Sequence, residues 1–96
     1  MSVRFGWDHE KAKSNLDKHR VSFEEAATVF ADPLARIFFD EEHSAEEVRE
    51  IIVGHSRSQR LLLVSFTERE RDLIRIISAR VATRKERKSY EENQGS

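Results

Sequence analysis

Consecutive strand-like segments joined by short connectors constrain the fold of this chain more than any other feature. Residues 48–55, 60–68 and 73–80 are rich in Val, Ile, Leu and Phe, and a similar run at 35–40 precedes them. Short polar connectors such as SRSQ join the last three runs. Parallel pairing of consecutive strands would need a crossover of about a dozen residues. The spacing therefore predicts an antiparallel meander.

Two helices are predicted before the meander, after a short strand in which SVRFGWD alternates apolar and polar residues. Asp8 is a suitable N-cap for a polar surface helix that runs to Arg20. Ser22 and Glu25 have the spacing of a capping box, and Pro33 ends the second helix. The expected apolar face of the first helix contains Ala12, Leu16 and His19 or Arg20. That of the second contains Phe23, Ala26, Ala27 and Phe30.

A third helix is predicted after the meander. Thr83 and Glu86 form a second capping box, and Tyr90 is the one large anchor of the polar segment that follows. The expected order of elements is β-α-α-β-β-β-β-α, an α+β fold with a small antiparallel sheet. We expect one domain over residues 1–92 and a flexible tail over 93–96.

Composition indicates a globular protein of the cytoplasm. The 96 residues are 38% apolar and 36% charged, which suits a small core beneath a charged surface. Cysteine is absent, so disulfides and thiolate metal sites are excluded. No apolar run approaches the ~20 residues of a membrane span, and the first residues lack the apolar centre of a signal peptide. No membrane contact is expected.

Charge is distributed unevenly although the net charge is only −1. Residues 71–90 contain seven cations and two acids, a net charge of +5, and residues 40–50 contain six acids and one cation, a net charge of −5. A local site for a polyanion on a nearly neutral protein would produce this pattern, and so would unrelated surface charge.

Several kinds of chemistry find no support in the sequence. The histidines have none of the spacings HxH, HxxxH or HExxH, so we predict no metal site and no cofactor. The acidic segment DEEH at 40–43 is expected to face solvent or to dock a basic partner. Phosphate-cradling glycine loops and a serine nucleophile elbow are also missing.

Two arginines are the first candidates for an anion site. Arg80 ends the last predicted strand and Arg84 opens the following helix, where amides and helix dipole favour a phosphate. Strict alternation along that strand places Ile74, Ile76, Ser78 and Arg80 on one face. The alternative is that Arg80 pairs with an acid of the sheet and that RKERK is a solvated helix face.

Lys18 and His19 form the second candidate group. Histidine is the one side-chain type that can exchange protons near neutral pH when unperturbed, and the neighbouring ammonium can stabilise developing charge, so the pair is suited to RNA cleavage. The alternative is a histidine that caps the end of the first helix. Two interpretations of Trp7 are also open: its ring can stack on an RNA base, or it can lie in the core.

Two separated motifs carry a family resemblance. Trp7 to Pro33 contains WDxxKxxxNxxKHxVSFEEAxxVFxDP, and Arg75 to Tyr90 contains RIISARxAxxxERxxY. Together they resemble the BrnT toxins of bacterial toxin–antitoxin operons, and the resemblance runs from Phe5 to Glu92. It implies a RelE-like fold and a metal-independent ribonuclease that arrests growth. It also implies neutralisation by a BrnA-type antitoxin, which carries the DNA-binding domain, so the toxin itself does not read DNA.

The resemblance raises particular residues to candidate site residues. The matched positions are Lys18, His19, Arg80, Arg84, Glu86, Arg87 and Tyr90. RNA cleavage by attack of the 2′-oxygen needs a base, an acid and cations for the transition state. We expect His19 to move protons and Arg80 and Arg84 to stabilise the phosphorane. Lys18 is expected to hold the phosphate, with Arg87 in the same site and with Glu86 and Tyr90 as further proton-transfer groups.

Two other functions remain open at this point. A non-catalytic RNA-binding or translation-blocking module would use the same basic end without cutting RNA. An interaction protein would only sequester a partner.

Overall fold

The computed structural model describes residues 3–43 and 47–94, which form one mixed sheet with three α-helices. The elements are β1 (Arg4–Gly6), α1 (His9–His19), α2 (Phe23–Thr28), β2 (Arg36–Phe39), β3 (Glu50–His55), β4 (Leu61–Glu70), β5 (Leu73–Val81) and α3 (Arg84–Gln94). Short 3₁₀ helices follow α2 and β2 at Val29–Ala31 and Glu41–His43. Within the described residues, no helix is long and apolar enough to cross a membrane.

The predicted meander is present, and one pairing outside it differs from expectation. The strand order is β1-β5-β4-β3-β2, with antiparallel pairing from β2 through β5. β1 pairs with β5 in parallel, in the register Phe5↔Ile74. The prediction of a wholly antiparallel sheet is therefore wrong for β1. Connector length decides the direction only of strands that follow one another, and almost the whole chain separates these two.

The three predicted helix starts are confirmed. The Asp8 carboxylate accepts a hydrogen bond from the Glu10 amide at 2.8 Å. Ser22 Oγ accepts one from the Glu25 amide at 3.0 Å. The Glu25 carboxylate, the second half of the predicted box, instead binds the Arg60 guanidinium and accepts from Ser56 Oγ. This ion pair ties the β3–β4 turn to α2.

The main core lies between one face of the sheet and the helices α1 and α2. It consists of Val21, Phe23, Ala26, Val29, Ile52, Leu62, Val64, Phe66, Ile76 and Ala79. Trp7 packs against this cluster, with its ring edge-on to Phe23 at 5.8 Å between centroids. The core interpretation of Trp7 is therefore correct, and base stacking by this ring finds no support.

α1 contacts the sheet differently from the predicted pattern. Leu16, expected on the inner face, is 46% exposed, and Asn15 is buried instead. The Asn15 amide donates to the Ala79 carbonyl at 2.8 Å and accepts from the Ala79 amide at 3.0 Å. β1 pairs only with residues 73–75, so the edge of β5 beyond it needs other hydrogen-bond partners. Asn15 supplies them, and an apolar residue there would not.

A β-bulge in β5 changes the face on which Arg80 lies. Ser65 pairs with Ser78 and Phe66 with Ile76, so Ile77 is an extra residue. Ile76 and Ala79 therefore both enter the core, and Arg80 points to the other face. The prediction that Arg80 shares a face with Ile74 and Ile76 is wrong, because the bulge interrupts the alternation.

α3 covers part of this second face. Glu86 and Tyr90 line a cavity of about 260 Å³ together with sheet residues such as Phe38, Val53 and Leu63. The helix continues through Asn93 to Gln94, which includes the first residues of the predicted tail, and Gly95 and Ser96 lie outside the described residues. The second face of the sheet is therefore only partly closed.

Candidate functional site

The junction between β5 and α3 is organised around one ion pair. Arg80 Nη1 and Nη2 each donate to a different carboxylate oxygen of Glu86, both at 2.8 Å. Thr83 completes the capping box, because its Oγ1 accepts from the Glu86 amide and its own amide donates to Glu86. The predicted capping box is confirmed, and the strand end is locked to the first turn of α3.

This arrangement fixes the charge of Glu86. The hydrogen bonds from Arg80 are the main reason that the pKa of Glu86 falls to about 2, with a smaller contribution from the Thr83 amide. A carboxyl group that stays ionised to such a low pH is a poor proton donor near neutrality. Glu86 therefore positions Arg80, and the guanidinium keeps further N–H donors beyond the two that the carboxylate takes.

The first two turns of α3 contain four cationic side chains. Arg84 and Lys85 occupy the first turn with exposed side chains, and Lys88 is exposed one turn later. Arg87 is half-buried, with Nη1 3.8 Å from the Glu91 carboxylate. The first-turn amides add to the positive potential at this end of the helix. The junction offers an anion several donors at once.

Tyr90 anchors α3 to the sheet. Its side chain is buried, and its hydroxyl donates to the Leu34 carbonyl at 3.2 Å. Burial is the main cause that raises the pKa of the phenol, with Asp32 acting in the same direction. Both effects keep the hydroxyl protonated, so Tyr90 is better suited to holding the helix than to accepting a proton.

Lys18 and His19 lie elsewhere. Both are exposed in the last turn of α1 and line a cavity of about 200 Å³ at the edge of β5. The β5 residues in that cavity are Ile77 and Ser78, and neither Arg80 nor Arg84 lines it. The residues predicted to share one site thus fall into two groups, one at the end of α1 and one at the start of α3.

A third cluster was missed by sequence reasoning. His55 ends β3 with its ring edge-on to Tyr90 at 5.8 Å, and its Nδ1 lies 3.8 Å from a carboxylate oxygen of Asp32. Asp32 is separated from His55 by 23 positions, so no local spacing joins them. The sequence contained only a weak signal for this cluster. Asp32 comes just before Pro33 and His55 just before the SRSQ turn, so both are polar residues at the ends of elements.

No metal site emerges from these groups. Across residues 3–43 and 47–94, no three His, Cys, Asp or Glu side chains are placed to hold a metal ion together. The groups that the three clusters supply are cations, an imidazole beside a carboxylate and an exposed imidazole.

Comparison with known proteins assigns the family. A family described as "Ribonuclease toxin, BrnT, of type II toxin-antitoxin system" matches residues 7–86. The chain belongs to the BrnT family. A toxin of a type II system implies a protein antitoxin as its partner.

A solved BrnT structure shares the fold. The crystal structure of the Brucella abortus ribonuclease toxin BrnT matches with a TM-score of 0.68 at 21% sequence identity, over 86% of this chain and 100% of that chain. A search of curated proteins finds no match. The structural likeness shows that the α+β arrangement is that of BrnT.

The BrnT match covers the candidate groups unequally. It includes Lys18, His19, Arg80, Arg84 and Glu86, and it ends at Glu86. Arg87 and Tyr90 lie beyond it. They are connected to the matched segment through α3, in which Arg87 follows Glu86 and Tyr90 binds the Leu34 carbonyl.

Proposed function

We propose that this BrnT family member is a metal-independent endoribonuclease that arrests bacterial growth by cutting RNA. The main support from the structure is the β5–α3 junction, where Glu86 holds the Arg80 guanidinium beside the exposed Arg84. A prepositioned cation at a helix N-terminus favours a phosphodiester and the extra negative charge of its transition state.

The chemistry requires little of the protein beyond charge and proton transfer. In RNA the 2′-oxygen attacks the neighbouring phosphorus, the bond from phosphorus to the 5′-oxygen breaks, and a 2′,3′-cyclic phosphate forms. A base removes the 2′-hydroxyl proton and an acid protonates the departing 5′-oxygen. Cations stabilise the dianionic phosphorane between these two steps.

Arg80, Arg84 and Arg87 supply the cations in this proposal. Arg80 is fixed by its bidentate pair, whereas Arg84 has an exposed side chain that can move onto the phosphate. His19 is the proton-transfer residue and Lys18 the phosphate-binding residue that the family resemblance suggests. RNA would have to extend from the junction to the edge of β5 to contact both groups.

A BrnA-type antitoxin is the proposed partner. It would neutralise the toxin and carry the DNA-binding domain, so the complex would contact DNA through the antitoxin. The relation of this fold to the RelE-like group and the location in the cytoplasm belong to the same proposal.

A non-catalytic RNA-binding or translation-blocking module is the second candidate. One observation favours it: the proton-transfer groups predicted near Arg80 are poorly suited to that task, since the pKa of Glu86 is about 2 and the Tyr90 hydroxyl is bonded to a carbonyl. Such a module would bind RNA and leave it intact.

Expression in a bacterium with RNA end mapping separates the two candidates. Induction should arrest growth and generate RNA fragments with 2′,3′-cyclic phosphate ends, and co-expression of the antitoxin should prevent both. The purified toxin should produce the same ends in EDTA. Growth arrest with intact RNA would overturn the ribonuclease proposal in favour of the binding module.

A matched pair of arginine variants tests the site. Arg84→Ala should lower RNA cleavage by about 10-fold or more, because it removes a charge-stabilising donor. Arg71→Ala is the control, since Arg71 is exposed in the β4–β5 turn, at the opposite end of β5. Equal activity of the two variants would show that the basic start of α3 is not the RNA site.

A further inference from the structure

His55 lies at the end of the sheet where α3 begins. It pairs with Leu61 across β3 and β4, and the Ala82 amide donates to the carbonyl of the same Leu61. His55 and Ala82 are therefore separated by two strand spacings, roughly 10 Å. The first turn of α3 starts two residues after Ala82, which brings the imidazole to the same end of the molecule as Arg84.

Asp32 and Tyr90 hold this imidazole on two sides. One Asp32 carboxylate oxygen accepts from the His55 amide at 2.8 Å and lies 3.8 Å from Nδ1, and the other accepts from the Leu34 amide at 2.9 Å. The Asp32 side chain is 12% exposed, whereas that of His55 is 39% exposed. The carboxylate is thus largely buried, and the imidazole beside it is partly open to solvent.

Gly54 allows this arrangement. A Cβ at this position would come within 2.8 Å of the Ala35 Cβ, 3.0 Å of the Asp32 carboxylate and 3.1 Å of Val29 Cγ1. The segment that carries Asp32 can therefore lie against β3 only because residue 54 has no side chain. The close approach of carboxylate and imidazole is built into the packing.

His55 lies in the wall of a cavity of about 480 Å³. Its lining includes Asp32, His55, Ser56 and Arg57, and Thr28 fixes the turn by accepting from the Arg57 amide at 2.8 Å. The volume falls in the range of small-ligand sites and accommodates a nucleotide. An exposed guanidinium at the rim gives the phosphate a partner.

We infer that His55 is the general base of the ribonuclease, with Asp32 as its positioning residue and Arg57 as a phosphate-binding cation. The inference rests on the proposed ribonuclease function and replaces His19 in the proton-transfer role. A carboxylate beside Nδ1 favours the tautomer with the proton on Nδ1, which leaves the Nε2 lone pair free.

The proton balance is simple. Nε2 takes the proton of the 2′-hydroxyl while the 2′-oxygen forms its bond to phosphorus, and the bond to the 5′-oxygen breaks. The 5′-oxygen takes a proton from a solvent water, and the resulting hydroxide recovers the proton held on Nε2. The products are a 2′,3′-cyclic phosphate and a 5′-hydroxyl.

Two histidine variants test the assignment on one substrate. The purified toxin and its variants are incubated in EDTA with a transcript of a bacterial message, and cyclic phosphate ends are quantified. His55→Ala should lower kcat by about 100-fold or more with little change in KM, as loss of a general base does. His43→Ala should cleave near the parent rate; His43 is an exposed histidine that also lies next to a carboxylate, that of Asp40.

Rescue by imidazole separates catalysis from structure. Added imidazole should restore part of the His55→Ala activity and should not affect the parent protein. His55→Gln, which keeps a polar side chain of similar length, should fold like the parent by circular dichroism and remain inactive. A folded His55→Ala protein that loses activity without rescue would overturn the general-base role.

The result for the parent protein distinguishes failure of the general-base role of His55 from failure of the ribonuclease function. If the parent cleaves the transcript and His55→Ala cleaves it equally well, the inference is wrong and the ribonuclease function stands. If the parent generates no cyclic phosphate ends at all, the ribonuclease function and this inference fail together.

Discussion

The two faces of the sheet are held by different forces. The face under α1 and α2 is a closed apolar cluster that includes Phe23, Val64 and Ile76. On the face under α3, the contacts include an arginine–glutamate pair, a hydrogen bond from Arg36 to the Asn93 carbonyl, the Tyr90 side chain and a cavity beside the half-exposed Phe38. Stability therefore comes mainly from the first face, and the second can carry charged groups at low cost to the fold.

The strongest way to test this contrast is to remove a ring from each face. Phe23→Ala should lower the free energy of unfolding by about 3–5 kcal/mol, because it removes a fully buried ring that also packs edge-on to Trp7. Phe38→Ala should cost about 1 kcal/mol or less, since Phe38 is 49% exposed. Urea unfolding measures both, and similar losses would contradict the contrast.

The edge of β5 provides the next largest effect. Asn15→Ala should destabilise the protein by about 2–3 kcal/mol, because it leaves the buried amide and carbonyl of Ala79 without their partner. The neighbouring Ser14→Ala, on the exposed side of α1, serves as the control and should change stability by less than about 0.5 kcal/mol. An Asn15→Ala protein as stable as this control would mean that water satisfies the edge.

Acid titration tests the ion pair of the second face. The pKa of Glu86 is lowered from 4.5 to about 2 in the folded state, so its stabilising effect is present above about pH 4.5 and is lost as the pH falls towards 2. Because the pair is partly exposed, we expect about 1–2 kcal/mol. Glu86→Gln should therefore be less stable than the parent at pH 7, and the difference should disappear as the pH falls through about 2.

Unfolding in urea at a series of pH values gives this difference directly. Glu92→Gln is the control, since Glu92 is exposed on the same helix. A difference between the parent and Glu86→Gln that does not depend on pH would show that the pair contributes through packing and not through charge.

Tyr90→Phe should give the smallest change. It removes only the hydrogen bond from the hydroxyl to the Leu34 carbonyl, and we expect a loss of about 0.5–1 kcal/mol. Tyr90→Ala also removes the buried ring and should loosen α3, which hydrogen exchange of the α3 amides would detect. Equal effects of both substitutions would mean that the ring does not anchor the helix.

Local chemistry made a large part of the fold predictable. The capping residues Asp8, Ser22 and Thr83 act over two or three positions, so their spacing is visible in the sequence, and the helix starts were predicted correctly. The meander followed from connector length for the same reason.

Contacts between distant positions were not predictable. The parallel pairing of β1, the extra residue Ile77 and the amide of Asn15 on Ala79 all depend on how remote segments meet. The candidate site shows the same limit. Arg80 and Glu86 were both named as candidates, but the sequence predicted an acid of the sheet, not Glu86 of α3, as the possible partner of Arg80. His55 and Asp32 were not predicted as site residues, because no local spacing joins them.

The parallel pairing of the first strand with the last has a consequence for synthesis. Residues 4–6 are translated before residues 73–75, which complete their hydrogen bonds. The sheet therefore cannot close until β5 has been made, and this closing contact joins positions that are far apart in the sequence, which slows folding. A nascent toxin of this design stays incomplete until β5 has left the ribosome.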